Sequence, residues 1–570
     1  MRPHRPPVPR DRAPPRRRRP PHPAQRYGAR GAPPPRVGVR IAQLVDQRRP
    51  TPAGAGQPLH PGNRAAQSRC GAALPGHPHR SARCARTRPG RACGDLVARR
   101  HGVHAVSRRG RPPVRRATAA VAPVTAGDQP IPLNDGRFTV PGNRWDLVAG
   151  STGSDATVAV VIPYYNQQRE LDRTLAALAR QTYPAHLVQV VVADDGSART
   201  PALPRSPLDL RVVRQEDLGF RAAAARNLGA AATDAAVLCF LDADTVPEPD
   251  YLRAITRLPS RLPDALVVGR RRYADLDAAA PGTAPQPLPE PRWLADAYAA
   301  TGDLLHLDHR SYRYVISSVM CCSADLFSDI GGFDGSFVGY GGEDWEFAHR
   351  ALANGAVLHH AGDAVAWHHG PDWAGRDVPG RAAVKNAEAL ALSRRITDPD
   401  ARRTGLRYAL PDVAVAVDSA GHTASSLART ISGFLGEDVG VWIRGDAAEA
   451  LLRAVGADDD RLRTGSVPDD VLRRCRFLIT TQGRAELSRA GVASLLRTCS
   501  GEAVGAVTSK APGVAVTCRA TWARNRVRRW TTGTVRFADP ADADRVSRAV
   551  TVDAESIGLR CGAEEPDLSW

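Results

Sequence analysis

The stretch AVLCFLDADTVPEPDYL, residues 236–252, joins an apolar run to two carboxylates. The residues up to Leu241 suit a buried strand, since short continuous apolar runs are typical of strands in parallel sheets. Asp242 and Asp244 follow that run directly, one residue apart. Two anions at the edge of an apolar core repel each other and resist losing their water. The sequence therefore predicts that a positive charge meets them at the end of this strand.

The sequence before this stretch alternates between strand and helix patterns. TVAVVIPYYN (157–166) and LVQVVVADDGS (187–197) are apolar runs that end in polar or turn residues. RELDRTLAALARQTYP (169–184) repeats leucine at helical spacing and stops at a proline, and the alanine-rich FRAAAARNLGAAA (220–232) is a second helix candidate. This rhythm predicts βαβ units, and hence an α/β fold with a Rossmann-like, mostly parallel sheet.

Polar side chains follow three of the predicted strands. They are Tyr164, Tyr165 and Asn166 after the first, Asp194 and Asp195 after the second, and Asp242 and Asp244 after the fourth. Ligands of such sheets bind beyond the carboxyl ends of the strands, so we expect these side chains to share one site. For Asp194 and Asp195 a purely structural role stays open, because aspartate is also common in turns and helix caps.

The D-x-D pattern favours one class of nucleotide site over two others. No G-x-G-x-x-G follows the first strand and no G-x-x-x-x-G-K-[ST] occurs, which disfavours a Rossmann dehydrogenase and a P-loop NTPase. Mg²⁺ and Mn²⁺ take oxygen ligands and keep coordination positions for substrate phosphates. A divalent cation would offset the repulsion between Asp242 and Asp244 and bridge them to a diphosphate.

These motifs resemble the family 2 glycosyltransferases, which have the GT-A fold. The resemblance is carried, in this order, by VVIPYYNQQRELDRTLAALARQ, VVVADDGS, GFRAAAARNLG and CFLDADTVPEPDYL. Farther on, IGGFDGSFVGYGGEDWEFAHRALANG (330–355) resembles the acceptor-side signature of that family. It is also similar to the G-W-G-G-E-D motif of the β4-galactosyltransferases and the matching part of polypeptide N-acetylgalactosaminyltransferases. The resemblance covers about residues 157–370.

On the donor side the resemblance implies both a nucleotide site and a metal site. The nucleotide-binding residues would be Pro163, Tyr165, Asp194, Asp195, Arg226, Asn227 and Asp242. Asp242, Asp244 and one histidine of AVAWHHG (364–370) would hold Mn²⁺ or Mg²⁺. Strand alternation puts His368 and His369 on opposite faces, so the two do not easily share one metal, and His368 is the preferred ligand.

On the acceptor side the segment GYGGEDWEF (339–347) supplies two carboxylates on a glycine-rich loop that leads into a helix. Inverting glycosyl transfer needs a carboxylate to take the acceptor's proton and a cation to stabilise the leaving diphosphate. The resemblance implies that Asp344 is the catalytic base and that Glu343 binds the acceptor hydroxyl. Gly341 and Gly342 would let the backbone approach a sugar closely. The alternative is that both acids merely favour a helix N-terminus.

A second half repeats this layout without its acids. After a predicted helical linker (381–408), DVAVAVDSAGHTASSLARTISGFLGEDVGVWIRG (412–445) echoes the first strand and helix. RCRFLITTQGRAELSRAGVASLLR (474–497) echoes the D-x-D stretch, with I-T-T where the first half has D-A-D. We expect residues 409–570 to form a degenerate, non-catalytic GT-A-like half that serves packing, acceptor positioning or dimerisation. Coincidence between generic α/β units is the alternative.

The formal charge of the 570-residue chain is +19, but this charge is concentrated at the N-terminus. Residues 1–127 hold 28 Arg, no Lys and three acidic residues, which gives 28 − 3 = +25 and leaves 19 − 25 = −6 for the remainder. This composition predicts a disordered Arg/Pro-rich segment over 1–135, or a start codon assigned too early, followed by a catalytic domain over 150–380. Tyr27 is the only aromatic residue in 1–127, so we expect no nucleic-acid partner.

The sequence as a whole predicts a metal-dependent, inverting glycosyltransferase of the hexosyl or N-acetylhexosaminyl type. It would move a sugar from a nucleoside-diphosphate donor, a UDP-sugar, to a hydroxyl on a glycan, lipid or small molecule. An NDP-sugar nucleotidyltransferase and a non-catalytic sugar-binding or scaffold protein are the alternatives. Ten scattered cysteines and no 18-residue apolar run predict a cytoplasmic protein, with peripheral contact at the inner membrane face and a homodimer left open.

Overall fold

The fold is described here from a computed structural model, which covers residues 128–150, 155–278, 285–372, 380–402, 405–436 and 438–569. The first half carries a short hairpin and a nine-stranded sheet. Their strands are β1 (Ile131–Pro132), β2 (Phe138–Thr139), β3 (Val158–Tyr164), β4 (Val188–Asp194), β5 (Asp209–Arg214), β6 (Val237–Leu241), β7 (Thr245–Pro247), β8 (Ala265–Ala274), β9 (Pro287–Leu288), β10 (Val319–Ser323) and β11 (Val357–His369). The helices are α1 (Asp146–Ala149), α2 (Gln168–Leu178), α3 (Ala222–Ala230), α4 (Tyr251–Thr256), α5 (Arg292–Thr301), α6 (Ala324–Asp329), α7 (Glu343–Ala353) and α8 (Arg381–Ser393).

The nine-stranded sheet is mixed, with a parallel core. Its order is β5-β4-β3-β6-β10-β8-β11-β7, and β9 pairs with β8. Strands β5, β4, β3 and β6 run parallel, β10 opposes both β6 and β8, and β11 is parallel to β8. Val160 and Val190 in the central strands have no exposed surface, and Leu171 and Leu175 of α2 are buried in the same core. The predicted α/β class with a mostly parallel sheet is confirmed.

The second half carries a seven-stranded sheet and a separate two-stranded one. The strands are β12 (Val413–Asp418), β13 (Val439–Arg444), β14 (Leu462–Thr464), β15 (Phe477–Gln482), β16 (Ala485–Glu486), β17 (Val504–Ala511), β18 (Val514–Ala520), β19 (Arg548–Thr551) and β20 (Arg560–Cys561). The helices are α9 (Ala424–Phe434), α10 (Ala448–Val455), α11 (Asp469–Arg474), α12 (Arg489–Cys499), α13 (Thr521–Thr532) and α14 (Ala554–Ile557).

The two large sheets have the same topology. The second is ordered β14-β13-β12-β15-β18-β17-β19. If β7 and β9 are left out of the first sheet, both follow the order 3-2-1-4-6-5-7 with the same strand directions. Strand β15 occupies the position of β6, so Ile479, Thr480 and Thr481 stand near the place of the D-x-D. The second half predicted from the sequence echo is therefore a topological repeat of the first.

The N-terminal boundary differs from the predicted one. Disorder was expected as far as residue 135, but Ile131 and Leu133 are buried in a small core with Trp530 and Phe537. Among the described residues, the other buried members of this core belong to the second half, which explains why the local composition does not reveal the boundary. Residues 1–127 lie outside the described part of the chain. None of the described helices is both long and apolar enough to cross a membrane.

Helix α13 of the second half is held to the first half by buried hydrogen bonds. The guanidinium of Arg526, which is 1 % exposed, donates to the carbonyl oxygens of Gly355 (2.6 Å), Gly142 (2.6 Å) and Val140 (2.9 Å). Such polar bonds in a closed interface are costly to break, because the buried guanidinium would be left without acceptors. We infer that the two halves unfold together.

Asp264 is a second buried junction between the halves. Its carboxylate has no exposed surface and accepts from Thr139 Oγ1 (2.6 Å) and Trp530 Nε1 (2.8 Å). It also pairs with the guanidinium of Arg529 on α13. Two elements distant in sequence, β2 and α13, thus converge on one carboxylate, where a charge is tolerated because it is paired and hydrogen-bonded.

Replacing Asp264 with alanine should lower the free energy of unfolding by about 3 kcal/mol, because a buried ion pair loses one partner. Urea denaturation of the whole chain measures this. The matched control is Asp363→Ala, whose carboxylate is 55 % exposed and 3.2 Å from Arg257, and it should cost under about 1 kcal/mol. Equal losses in the two variants would refute the junction role.

Candidate active site

A cleft of about 570 Å³ opens beyond the carboxyl ends of β3, β4 and β6. Most of the predicted site residues line it: Pro163, Tyr165, Asp195, Arg226, Asp242, Asp244, Glu343, Asp344 and His368. The strand-end side chains therefore meet at one edge of the sheet. The start of α7 lies at the same edge, so Glu343 and Asp344, which the resemblance assigns to the acceptor side, share the cleft with the strand-end acids.

The D-x-D lies in the turn between β6 and β7. Strand β7 pairs antiparallel with the end of β11, which puts Thr245 opposite His368. The Nε2 atom of His368 is 3.4 Å from Asp244 Oδ2. The neighbouring ring of His369 points elsewhere, with Nδ1 accepting from the backbone amide of Leu276 (3.2 Å). The short strand β7 is thus the element that brings one histidine to the D-x-D.

The donor atoms at this point fit a divalent cation only in part. A carboxylate oxygen of Asp244 and an imidazole nitrogen of His368 face each other, and this pairing suits Mn²⁺. Asp242 instead accepts from Arg226. Within the described residues, the one group of three or more His, Cys, Asp or Glu side chains with all ligand atoms within 4.8 Å is His309, Asp398 and Asp400. The predicted three-residue metal set is therefore not preassembled.

Arg226 joins the two motifs of the cleft. Its guanidinium donates to Asp242 Oδ1 (2.9 Å) and to Glu343 Oε1 (3.0 Å), and its side chain is only 3 % exposed. The guanidinium carbon also lies 5.5 Å from the centre of the Phe333 ring. Arg226 was predicted to contact the nucleotide or its phosphates. In the structure it holds the first aspartate of the D-x-D and the first acid of α7.

Glu343 and Asp344 occupy the first turn of α7. The preceding Gly341 and Gly342 have φ angles of 96° and 92°, in the left-handed region that favours glycine. A Cβ on Gly341 would lie 3.2 Å from the Glu388 carboxyl of α8. We expected the two glycines to leave space for a sugar beside the backbone. In the structure, side chains of α8 occupy that space.

Asp344 is a half-buried carboxylate with few stabilising contacts. Desolvation and, next, the negative charge of Glu343 raise the pKa of Asp344 to about 7. The charges of Arg226 and Arg271 and the bond from the Trp345 amide act in the opposite direction. A carboxylate with a pKa near neutrality is suited to take up a proton at physiological pH.

Asp195 lies in the cleft with both carboxylate oxygens occupied. Oδ1 accepts from Gln215 Nε2 (2.6 Å) and Oδ2 from the Arg221 amide (2.7 Å). Tyr165 is 43 % exposed, and its hydroxyl donates to Asp217 (3.2 Å). These side chains form a polar wall at the ends of β3 and β4.

Two predicted nucleotide ligands do not line the cleft. Asp194 has no exposed surface and accepts from the Ser197 amide (2.9 Å), as in a turn. The side-chain amide of Asn227 donates to the Phe333 carbonyl (2.8 Å) and accepts from the Phe333 amide (2.9 Å). The structure gives both residues structural contacts, and their contact with a nucleotide stays a prediction.

Several cleft residues escaped the sequence analysis. They are Arg271 of β8, Trp293, Tyr340, and Lys385 and Glu388 of α8. Arg271 donates to Tyr273 Oη (2.9 Å) and Ser318 Oγ (2.9 Å). The run RRR at 270–272 was the available signal, but which arginine faces the cleft depends on strand parity. The sequence predicts residues 381–408 only as a helical linker, whereas in the structure α8 lines the cleft with Lys385 and Glu388.

The chain matches two family models in this region. Residues 159–315 match glycosyl transferase family 2, and residues 301–362 match the N-terminal domain of galactosyltransferase. The predicted resemblance to family 2 glycosyltransferases is thereby confirmed over this part of the chain. The second match contains the first turn of α7 with Glu343 and Asp344.

Curated relatives carry glycosyltransferase names. Validoxylamine A glucosyltransferase of Streptomyces hygroscopicus subsp. limoneus is 34% identical over 229 residues, which cover 37% of this chain and 51% of that protein. Chondroitin synthase of Pasteurella multocida (strain Pm70) is 29% identical over 271 residues, which cover 42% and 28%. The chain thus spans about half the length of the first relative.

Among solved structures, a mannosyltransferase from Pyrobaculum calidifontis in complex with GDP-mannose and Mn²⁺ is 19% identical. The match covers 44% of this chain and 67% of that chain, with a TM-score of 0.32.

Asp344 should titrate near pH 7 in the metal-free protein, because desolvation and Glu343 disfavour its charged form. Proton uptake of the wild type minus that of Asp344→Asn isolates this group. A midpoint near 4, the usual value for an aspartate, would contradict the account. Asp234→Asn, at an exposed position outside the cleft, is the control and should leave the midpoint near 7 in place.

Proposed function

We propose that this protein is a metal-dependent, inverting glycosyltransferase that moves a sugar from a UDP-sugar to a hydroxyl-bearing acceptor. The observation that carries the proposal is the single cleft in which the strand-end acids Asp242 and Asp244 face the half-buried Asp344. The names of the relatives support glycosyl transfer. Donor, acceptor and metal dependence are our proposal for this chain.

On the donor side, Asp244 and His368 would hold Mn²⁺, and donor phosphates would fill the remaining positions. Bound there, the cation would neutralise charge on the leaving diphosphate. Tyr165 and Asp195 would form the uridine pocket with Pro163. Arg226 would keep Asp242 oriented until the donor arrives.

On the acceptor side, Asp344 would act as the general base. The acceptor oxygen bonds to the anomeric carbon while the bond from that carbon to the diphosphate oxygen breaks. The diphosphate leaves with the electron pair, and Asp344 takes the hydroxyl proton. Only the deprotonated carboxylate can do this, so kcat/KM should rise as pH passes the Asp344 pKa of about 7.

Arg226 contacts an acid on the donor side and an acid on the acceptor side. Glu343 is the expected ligand of the acceptor hydroxyl, and its carboxylate is already held by Arg226 at 3.0 Å. Asp242 is also a predicted ligand of the cation, and if it served there, Glu343 would be the acid that stays with Arg226. Arg226 is therefore proposed as a positioning residue that couples donor binding to the acceptor site.

The alternatives fit the cleft less well. A nucleotidyltransferase needs a glycine-rich, basic loop after the first strand. In this chain the four residues after β3 are YNQQ (165–168), which include neither a glycine nor a basic residue. A non-catalytic sugar-binding protein would not need the raised pKa of Asp344.

We further propose that residues 409–570 are non-catalytic and support the first half through α13. Homodimer formation and contact with a membrane surface stay predictions.

The proposal is tested with UDP-, GDP- and dTDP-sugars, each with Mn²⁺ and with EDTA. We expect Mn²⁺-dependent thermal stabilisation and slow hydrolysis with a UDP-sugar, because binding to the folded state raises the unfolding temperature. Stabilisation by UDP-sugars in EDTA would refute the metal requirement. The absence of any response to all three donor classes would refute the function.

A further inference from the structure

A second pocket, of about 190 Å³, lies between the two halves of the described chain. Its walls include the last turn of α7 on one side and the starts of β15 and α13 on the other. No residue lines both this pocket and the cleft. Concave openings at the contact between two domains are among the places where small-molecule sites preferentially occur.

The floor of the pocket is apolar. Leu305 and Leu352 of the first half face Phe477, Ala520 and Trp522 of the second half. Aromatic and aliphatic surfaces of this kind are typical of small-molecule sites, where they supply most of the buried contact area. Transfer of an apolar ligand from water onto them is favourable.

Both arginines of the pocket wall are already paired. Arg476 donates to both oxygens of Asp412 at 2.6 Å, and Arg526 is committed to backbone carbonyls. At the rim, His306 Nδ1 lies 3.0 Å from Glu502. An anionic ligand such as a nucleotide would have to break one of these pairs, so the wall disfavours it.

His349 adds a neutral polar group to the wall. Burial, followed by the positive charges of Arg476 and Arg474, lowers the pKa of His349 to about 3. The imidazole is thus uncharged at neutral pH, and its Nε2 lies 3.4 Å from Thr397 Oγ1. The other charged residue at the rim is Asp308, whose carboxylate accepts from the Arg310 amide (2.9 Å) and Ser311 Oγ (3.2 Å) and adds a negative charge that further disfavours an anionic ligand.

We propose that this pocket is a binding site for an uncharged, largely apolar small molecule of one or two rings. The site is distinct from the cleft and does not depend on the proposed transfer reaction. Its occupant would pack against both halves at once and against the last turn of α7. The first turn of the same helix carries Glu343 and Asp344, so occupancy would also restrain the acceptor side of the cleft.

The test uses indole as the probe and its anionic analogue indole-3-acetate as the matched control, both with the full chain. Indole should raise the melting temperature by a few degrees at millimolar concentration and slow amide exchange in residues 348–353 and 520–526. Indole-3-acetate should bind at least about tenfold more weakly. No binding of indole, or equal binding of both probes, would overturn the proposal.

Ala353→Phe, which puts a ring into the pocket, locates the site. It should abolish the indole response, whereas Ala300→Phe, at an exposed position of α5, should keep it. An unchanged response in Ala353→Phe would overturn the assignment. If that variant does not fold, Leu352→Ala enlarges the pocket and should change indole affinity at least about threefold, and an unchanged affinity would overturn it.

Discussion

A buried guanidinium, that of Arg226, holds together the two motifs on which the cleft depends. It contributes one donor to Asp242 and another to Glu343, and it packs over the ring of Phe333. Asn227, the next residue, binds both backbone polar groups of Phe333. Without Arg226, neighbouring carboxylates would share a partly desolvated wall with no cation between them, an arrangement that proteins avoid. The A-R-N segment of α3 is thus the connection between the D-x-D and the start of α7.

The two halves separate what the fold requires from what the chemistry requires. Both sheets have the same strand order and directions, yet β15 lacks the acids that follow β6. The topology can therefore be built without Asp242 and Asp244. Strand β7, which has no counterpart among the described strands of the seven-stranded sheet, places His368 beside Asp244. The acids and β7 are together best explained by a ligand.

The local patterns of the sequence predicted the sheet, the helices and the edge at which the site lies. Apolar runs and leucine spacing act over a few residues, and the carboxyl ends of parallel strands meet by geometry. The pairing of Arg226 with Glu343 was out of reach, because these residues are 117 positions apart and meet only when α7 docks. The cleft-facing position of Arg271 and the contact of α8 with Gly341 depend likewise on tertiary packing.

The central claim is that Asp344 accepts the proton, whereas Asp244 serves Mn²⁺-dependent binding of the donor. Calorimetric titration with UDP and Mn²⁺, paired with initial transfer rates, tests this claim most directly. For Asp344→Asn we predict UDP affinity within about threefold of the wild type, while transfer falls at least about 10²-fold because the base is lost. For Asp244→Ala we predict loss of the Mn²⁺-dependent part of the affinity as well. Wild-type transfer by Asp344→Asn, or Mn²⁺-dependent UDP binding that survives in Asp244→Ala, would contradict the account.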